Sequence, residues 1–568
     1  MTNPEAPVPV EASDTPPVGR FLSANHVLEI ANRLAKMRAV RAKYPGSYSG
    51  AYIKGPPTLD HWQVSYFSKQ GKEIGQVIIA DRTGRVLEAW TGFQIAWSMA
   101  RGYSGAFGRH VNALYIWIPL SLLFFFAFFD WRRPFRLLHL DLLVLLSFSA
   151  SLAFFNHGRI YLSTPLAYPP LLYLLVRMLI VGRVRLRGSS PVGETARDGA
   201  LGDIAPFAPR REQPARLLIP APWLAIALVF LVGFRIALNV TDSNVIDVGY
   251  AGAIGAQRIL DGRSLYGSYP SDNEHGDTYG PASYESYIPF DQVFGFSGHW
   301  DELPAAHAAA IVFDLLAIAL LFLLGRRVRG PSLGIALAYA WAAYPFTLFA
   351  LESNSNDTLV AVLVLAALLV ASSAPARGAF AALAGLAKFA PLALAPLLAT
   401  HGLAGLPRAR RARTLALFCG AFALTAALVC IPALRHDTLH TIYQRTLVYQ
   451  SERESPFSIW GLYGVAPTGG RAAAPWLSTA QAVIEALAVL LALALALLPR
   501  RADLVGLAAC AAAILIAVQL GIDHWFYLYI PWFFGLTMLA LLGQLSWAPE
   551  PRRASASEPA RSNRLAAA

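Results

Sequence analysis

Between residues 112 and 545 the chain divides into twelve apolar stretches, each near the length at which a helix crosses a bilayer. They run over 112–129, 138–155, 164–182, 217–239, 305–324, 331–350, 357–374, 379–400, 414–432, 477–498, 503–520 and 526–545. In hydrocarbon every backbone N–H and C=O must be paired within the protein, so segments of this length and composition must be helical. Composition agrees. Of 568 residues 55% are apolar and 14% are charged, against roughly 25% charged in a soluble domain. The three cysteines, Cys419, Cys430 and Cys510, all lie in apolar runs. That arrangement excludes a disulfide framework and a Cys-rich metal site. No Gly-rich phosphate loop follows a strand, so no nucleotide fold is expected.

Residues 1–20 read as a disordered lead, without the basic and apolar regions of a signal peptide. Residues 21–110 read as a small soluble α+β domain. Ser23 caps a helix with Val27, Ile30, Leu34 and Met37 at helical spacing. Strands are expected at His61–Phe67, Gln76–Ala80 and Arg85–Trp90, the last two joined by the turn Asp81-Arg82-Thr83-Gly84. The run "VIIADRTGRVLEAWTG" resembles a PepSY-like module.

The net charge of +12 is distributed by topology. One alternating set of connections (130–137, 183–216, 325–330, 374–378, 401–413, 499–504 and the tail 546–568) holds 24 arginines. The other set (156–163, 240–304, 351–356, 433–476, 521–525) is longer in total and holds 7. The positive-inside rule puts the first set in the cytoplasm. Scattered arginines in inner loops are not a nucleic-acid surface. Segment 379–400 breaks the alternation: both flanks are basic and Pro391 lies within it, so it should enter and return as two short halves. This orientation puts residues 1–110 outside, or in the cytoplasm if one of the first three stretches does not span.

Five groups of polar residues then fall on the outer side. Loop 240–304 carries ten acids, Asp301 and Glu302 among them, and the aromatic run "YGPASYESYIPF". Carboxylates and rings suit a sugar, although a solvated acidic loop reads the same way. Asp247 stands eight residues beyond a span and begins a helical pattern, which holds it near the membrane as a candidate general base. Lys388 is one of six lysines and the only one after Lys72; it lies inside an apolar segment near Pro391. An intramembrane ammonium suits a phosphate oxygen, or it snorkels. "LESNSNDTL" puts Asn356 and Asp357 between two spans, as hydroxyl-binding groups or as a polar turn with a helix cap. "IDHWFYLYIPWFF" places His524 at the outer interface beside belt aromatics. Loop 433–476 offers Arg445 to a phosphate.

The run from Asp247 through "VGYAGAIGAQRILDGRSLYG" resembles the first outer loop of the membrane-embedded GT-C glycosyltransferases of family 87, with Asp247, Tyr250, Gly262 and Tyr266 as the matching residues. "YGPASYESYIPF", with Tyr279 and Tyr284, is similar to that family's Tyr/Pro-rich segment, and "GLAKFAPLALAPLL" to its Lys-Pro segment, here spaced as Lys388-Phe-Ala-Pro391. "DHWFYLYIPWFF" is similar to its late His-aromatic segment. The resemblance spans roughly residues 217–545. It implies transfer of a hexose, commonly mannose, from a polyprenyl-phosphate donor to a glycolipid or glycan acceptor outside the cytoplasmic membrane, with inversion. Asp247 would be the base. Lys388, Arg445 and His524 would bind the donor phosphate. Tyr250, Tyr266, Tyr279, Tyr284, Asn356 and Asp357 would contact substrate. No cofactor or metal is implied and no nucleic acid is a partner.

The expected fold is an all-α polytopic membrane protein of about 11–13 helices, GT-C-like, with a small N-terminal α+β domain. Its parts are the lead 1–20, the PepSY-like 21–110, three accessory helices and a cytoplasmic linker over 111–216, the catalytic domain 217–545 and a disordered tail 546–568. A transporter or flippase of lipid-linked intermediates, or a receptor sensing through residues 21–110, are the rival readings.

Overall fold

The computed structural model describes residues 7–53, 60–102, 109–183, 217–300, 303–453, 455–464, 474–498 and 500–544. Linker residues 184–216, Asp301, Glu302 and the tail 545–568 lie outside the described residues.

The N-terminal domain is a five-stranded antiparallel meander covered by two helices. Its strands are β1 (Val8–Val10), β2 (Tyr48–Ile53), β3 (His61–Phe67), β4 (Glu73–Ala80) and β5 (Val86–Thr91), paired in sequence order. The three expected strands are present. The first two were not anticipated, and β1 falls in the segment expected to be a disordered lead: Val8, Pro9 and Val10 pair with Ile53, Tyr52 and Ala51. Three edge residues next to prolines leave no alternating pattern to read. The Ser23 hydroxyl caps helix Ala24–Arg33 by accepting from the His26 amide at 3.2 Å. The expected single helix stops at Leu34, which is extended, and resumes over Ala35–Lys43. Ala24, Val27, Ala31 and Met37 pack on Trp62, Val64, Tyr66, Val77 and Ile79. In the 81–84 turn the buried Asp81 carboxylate accepts from Trp62 Nε1 at 2.8 Å and from the Phe21 and Leu22 amides. Gly84 takes φ +65°, a conformation that favours glycine.

The rest of the described chain is helical. Eight helices are long and apolar enough to cross a membrane: Leu137–Asn156, Ile160–Arg183, Ala221–Asp242, Pro304–Arg329, Arg408–Leu434, Pro475–Leu497, Leu504–Gly521 and Tyr527–Gln544. Helices Pro331–Ala343 and Pro345–Glu352 together make a ninth span, bent by 59°. The remaining three apolar stretches contain the shorter helices Leu114–Phe126, Asp357–Leu369 and Ala390–Thr400. Burial separates centre from rim. The windows of Leu504–Gly521 and Tyr527–Gln544 are 89% buried, whereas that of Arg408–Leu434 is 11% buried. The apolar face of such a rim helix is left for lipid to cover.

Prolines set the irregular points. Pro345 has no N–H for the Trp341 carbonyl, which instead accepts from the Thr347 hydroxyl at 2.5 Å. Arg235 donates to the Ala342 carbonyl at 3.1 Å and forms a buried ion pair with Asp314, itself held by Trp341 Nε1 at 2.8 Å. The bend therefore leaves its freed carbonyls satisfied inside the bundle.

Pro391 acts in the same way on the segment expected to enter and return. Its ring would clash with the carbonyl four residues back, at Ala387, and helix Ala374–Ala387 ends there. Lys388 is extended, at φ −142° and ψ 142°. A 3-10 turn, Ala390–Leu394, and helix Ala395–Thr400 follow. Arg377, in the first turn of Ala374–Ala387, donates to the Leu398 carbonyl at 2.9 Å and the His401 carbonyl at 3.1 Å. The second half thus returns to the end where the first began, with Lys388 near the tip.

Candidate active site

The polar turn after the bent span organises one side of the site. Asn354 adopts φ +50° within it. The turn's carbonyls receive the chain that leads to Asp247: the Asn244 amide donates to Glu352 O at 3.2 Å and the Ile246 amide to Ser353 O at 3.1 Å. The Asn354 side chain donates to Ser243 Oγ at 2.9 Å and to Asn244 O at 3.1 Å. Asn239 donates to Leu351 O and Asn354 Oδ1. Helix Asp247–Leu260 then starts on this platform with Asp247 as its first residue. The fit is close at Gly249, where a Cβ would lie 2.2 Å from the Asn354 carbonyl oxygen. Gly249→Ala should push Asp247 off the turn, costing about 1–3 kcal/mol of stability by overpacking. A fall in the thermal unfolding midpoint together with loss of activity would show it; an unchanged midpoint would count against this packing.

The same turn holds the second charged group. Asp357 follows it directly, and Lys388 Nζ lies 2.5 Å from its Oδ1. Trp532 Nε1 donates to the same oxygen at 3.1 Å, while Oδ2 is buried without a hydrogen-bond partner among the described residues. The ammonium stands over three rings, Tyr279 at 5.1 Å, Tyr529 at 5.3 Å and Trp532 at 5.3 Å. Such faces favour a cation. Lys388 is therefore a caged, paired charge and does not snorkel to the membrane surface.

Asp247 has no such partner in contact. Its carboxylate accepts only from the following Val248 amide, at 3.0 Å, among the described residues. It faces a recess lined also by Asn273, His275, Thr278, Tyr279, Tyr449 and Arg453. Solvent reaches it there, yet protein surrounds it. Burial pushes the carboxyl above its usual range, while Arg453 and Lys388 are near enough to pull it back in part. The recess, at ≈ 40 Å³, admits only a few waters, so a sugar ring enters only if lining side chains move.

Sequence reasoning passed over Arg453. Its Nε is buried and makes no hydrogen bond among the described residues, and its guanidinium lies 5.0 Å from the centre of the Trp97 ring. In sequence it stands between Glu452 and Glu454 in loop 433–476, and nothing there sets it apart from Arg445. Trp97, Tyr529 and Trp532 were likewise not singled out.

The other expected residues divide. Tyr279 lines the recess and the lysine cage. The His524 ring nitrogen lies 2.9 Å from Ser455 Oγ. Burial, then Arg453 and Lys388, hold the imidazole well below its ordinary pKa, so the ring offers a phosphate a hydrogen bond from its neutral form. Arg445 makes a two-point ion pair with Asp277, both contacts at 2.8 Å, and donates to the Glu274 carbonyl. Its charge is already matched in closing that loop.

Tyr284 accepts from the Tyr279 amide and donates to Gly276 O, and Tyr266 donates to Tyr279 O at 2.9 Å. Both hold Tyr279 in place from behind. Tyr250 stacks on Trp300 at 4.7 Å and donates to Asp272 at 3.3 Å. The Asn356 amide donates to Ser283 Oγ. Asp247 and Tyr279 thus line the recess with Arg453, the Lys388–Asp357 pair stands behind Tyr279, and His524 joins through Trp97, which carries Arg453, while Tyr250, Tyr266, Tyr284, Asn356 and Arg445 make neighbouring contacts within the protein.

The sequence model of glycosyltransferase family 87 matches residues 278–520, less than half of the chain. The matched stretch contains Tyr279, Tyr284, Asn356, Asp357, Lys388, Arg445 and Arg453. It leaves out Asp247, His524 and the N-terminal domain. Comparison with curated proteins and with solved structures found no match. Together with the apolar helices, the family match supports a multi-pass membrane glycosyltransferase.

Proposed function

We propose that the chain transfers a hexose, mannose in the first instance, from a polyprenyl-phosphate donor to a glycolipid or glycan acceptor on the outer side of the cytoplasmic membrane. The observation that carries this reading is the pairing of opposites around the recess, where among the described residues Asp247 is a carboxylate without a contacting cation and Arg453 an arginine without a hydrogen-bonded acceptor.

The chemistry follows from charge. The acceptor oxygen attacks the anomeric carbon while the bond from that carbon to the phosphate oxygen breaks. Asp247 takes the acceptor's proton. The phosphodiester donor carries one negative charge and the departing phosphomonoester carries two. The extra charge develops in the transition state, where fixed cations act most strongly. Arg453 is the cation available to receive it, Lys388 adds field from its cage, and neutral His524 adds a hydrogen bond. A single displacement inverts the anomeric centre. No step calls for a nucleotide.

Transfer of radiolabelled mannose from polyprenyl-phosphate mannose, assayed in membranes containing the protein, tests the reading; no transfer to any acceptor would remove it. The pH profile is a second check. A base must be ionised, so activity falls as pH drops through its pKa. Because burial raises Asp247, the acid limb of kcat/KM should lie clearly above the ordinary aspartate value of about 3.9. A limb at or below that value would exclude Asp247 as the base.

A further inference from the structure

The N-terminal domain does not end at its sheet. Helix Phe93–Ala96 and the 3-10 turn Ser98–Arg101 form a strap leading from β5 onto the membrane body. Arg101 ties the strap to the domain, donating to Gln76 Oε1 at 2.7 Å, Gln94 O at 2.9 Å and Ile95 O at 3.2 Å. At the far end Gly102, at φ +64°, lies against the Gly158 backbone so closely that a Cβ would come within 2.0 Å of the Gly158 nitrogen. Phe93 packs edge-on against Tyr161 at 5.8 Å. Ala100 is fully buried in the core of the membrane body.

Trp97 stands in the middle of this strap. Its ring stacks on the His524 imidazole at 5.6 Å, meets Phe457 edge-on at 5.3 Å and carries the Arg453 guanidinium on its face at 5.0 Å. Among the described residues, those that line the recess itself all come from position 247 or later, and Trp97 reaches it through Arg453.

We propose that Trp97 is a positioning residue contributed by the N-terminal domain: it fixes the Arg453 guanidinium where a lipid phosphate binds, so the site is incomplete without residues 93–102. The inference rests on the transferase reading for its ligand class, a phosphomonoester on a long isoprenoid. An indole face is the best aromatic support for a cation. Without it, an arginine whose Nε has no hydrogen-bonded partner among the described residues loses its fixed orientation.

The test uses the full-length protein in detergent and two probes, polyprenyl phosphate and the corresponding polyprenyl alcohol. Trp97→Ala should weaken phosphate binding about tenfold and leave alcohol binding within about twofold, because only the phosphate meets Arg453. Trp97→Phe should restore most of the loss. In an Arg453→Ala background, Trp97→Ala should add nothing. Equal weakening for both probes, or full additivity with Arg453→Ala, would overturn the proposal. If Trp97→Ala is not recovered folded, Trp97→Phe carries the same comparison, with about threefold weakening expected for phosphate alone. The mannose-transfer assay on the unaltered protein separates the two ideas. If it transfers no sugar, the transferase reading falls, while the phosphate–alcohol comparison still decides Trp97.

Discussion

Asp247→Asn should lower sugar transfer by at least about 100-fold and at the same time raise the thermal unfolding midpoint. The rate falls because an amide cannot accept the acceptor's proton. The stability gain follows from the direction of the pKa. Burial raises the Asp247 carboxyl, so the fold disfavours its ionised form. The group's favourable contribution is fully present below the ordinary aspartate pKa of about 3.9 and is lost as pH rises through the raised value. At neutral pH the carboxylate destabilises, and asparagine removes that cost with little change in shape. Opposite movement of rate and stability marks a residue retained for function. Scanning fluorimetry in detergent, run beside the transfer assay, reads both. A variant that loses activity and melts earlier would mark Asp247 as structural.

Lys388→Met should have the opposite signature: loss of transfer and loss of about 3–5 kcal/mol of stability. Methionine fills much of the cage but leaves Asp357 buried with Trp532 Nε1 as its remaining contact. The double variant Lys388→Met/Asp357→Asn should recover most of the stability, since both charges are gone, and remain inactive. That split separates holding the fold from acting on the phosphate. Recovery of transfer in the double variant would show that the lysine serves only the fold.

How much of this was legible in the sequence depended on the range of each signal. Hydropathy is local, so the apolar stretches were found at nearly the observed positions. So was the break before Pro391, because the clash of a proline ring with the carbonyl four residues back needs no distant partner. Asp247 and Lys388 stood out because charge is rare around them. What they face was not legible. "LESNSNDTL" gave no sign that it would receive the Ser243–Ile246 backbone on one side and present Asp357 to Lys388 on the other. Arg445 and Arg453 look alike in sequence; Asp277, far earlier in the chain, pairs with the first, and no ion pair is present at the second among the described residues. Trp97 was the least legible, since Phe457, Arg453 and His524 all lie far along the chain in a part of different composition.

The returning hairpin at 374–401 has a consequence for biogenesis. A lone lysine entering hydrocarbon costs about 2.5–3.5 kcal/mol, against which the short apolar halves around it offer little. Asp357 is synthesised 31 residues before Lys388. The carboxylate is therefore already waiting when the lysine emerges, and the hairpin can settle by pairing with the helix made just before it. A charge swap, Asp357→Lys with Lys388→Asp, would leave the folded pair formally intact yet reverse the order in which its charges meet the membrane. Yield of inserted protein, more than activity of what is inserted, is where that reversal should register.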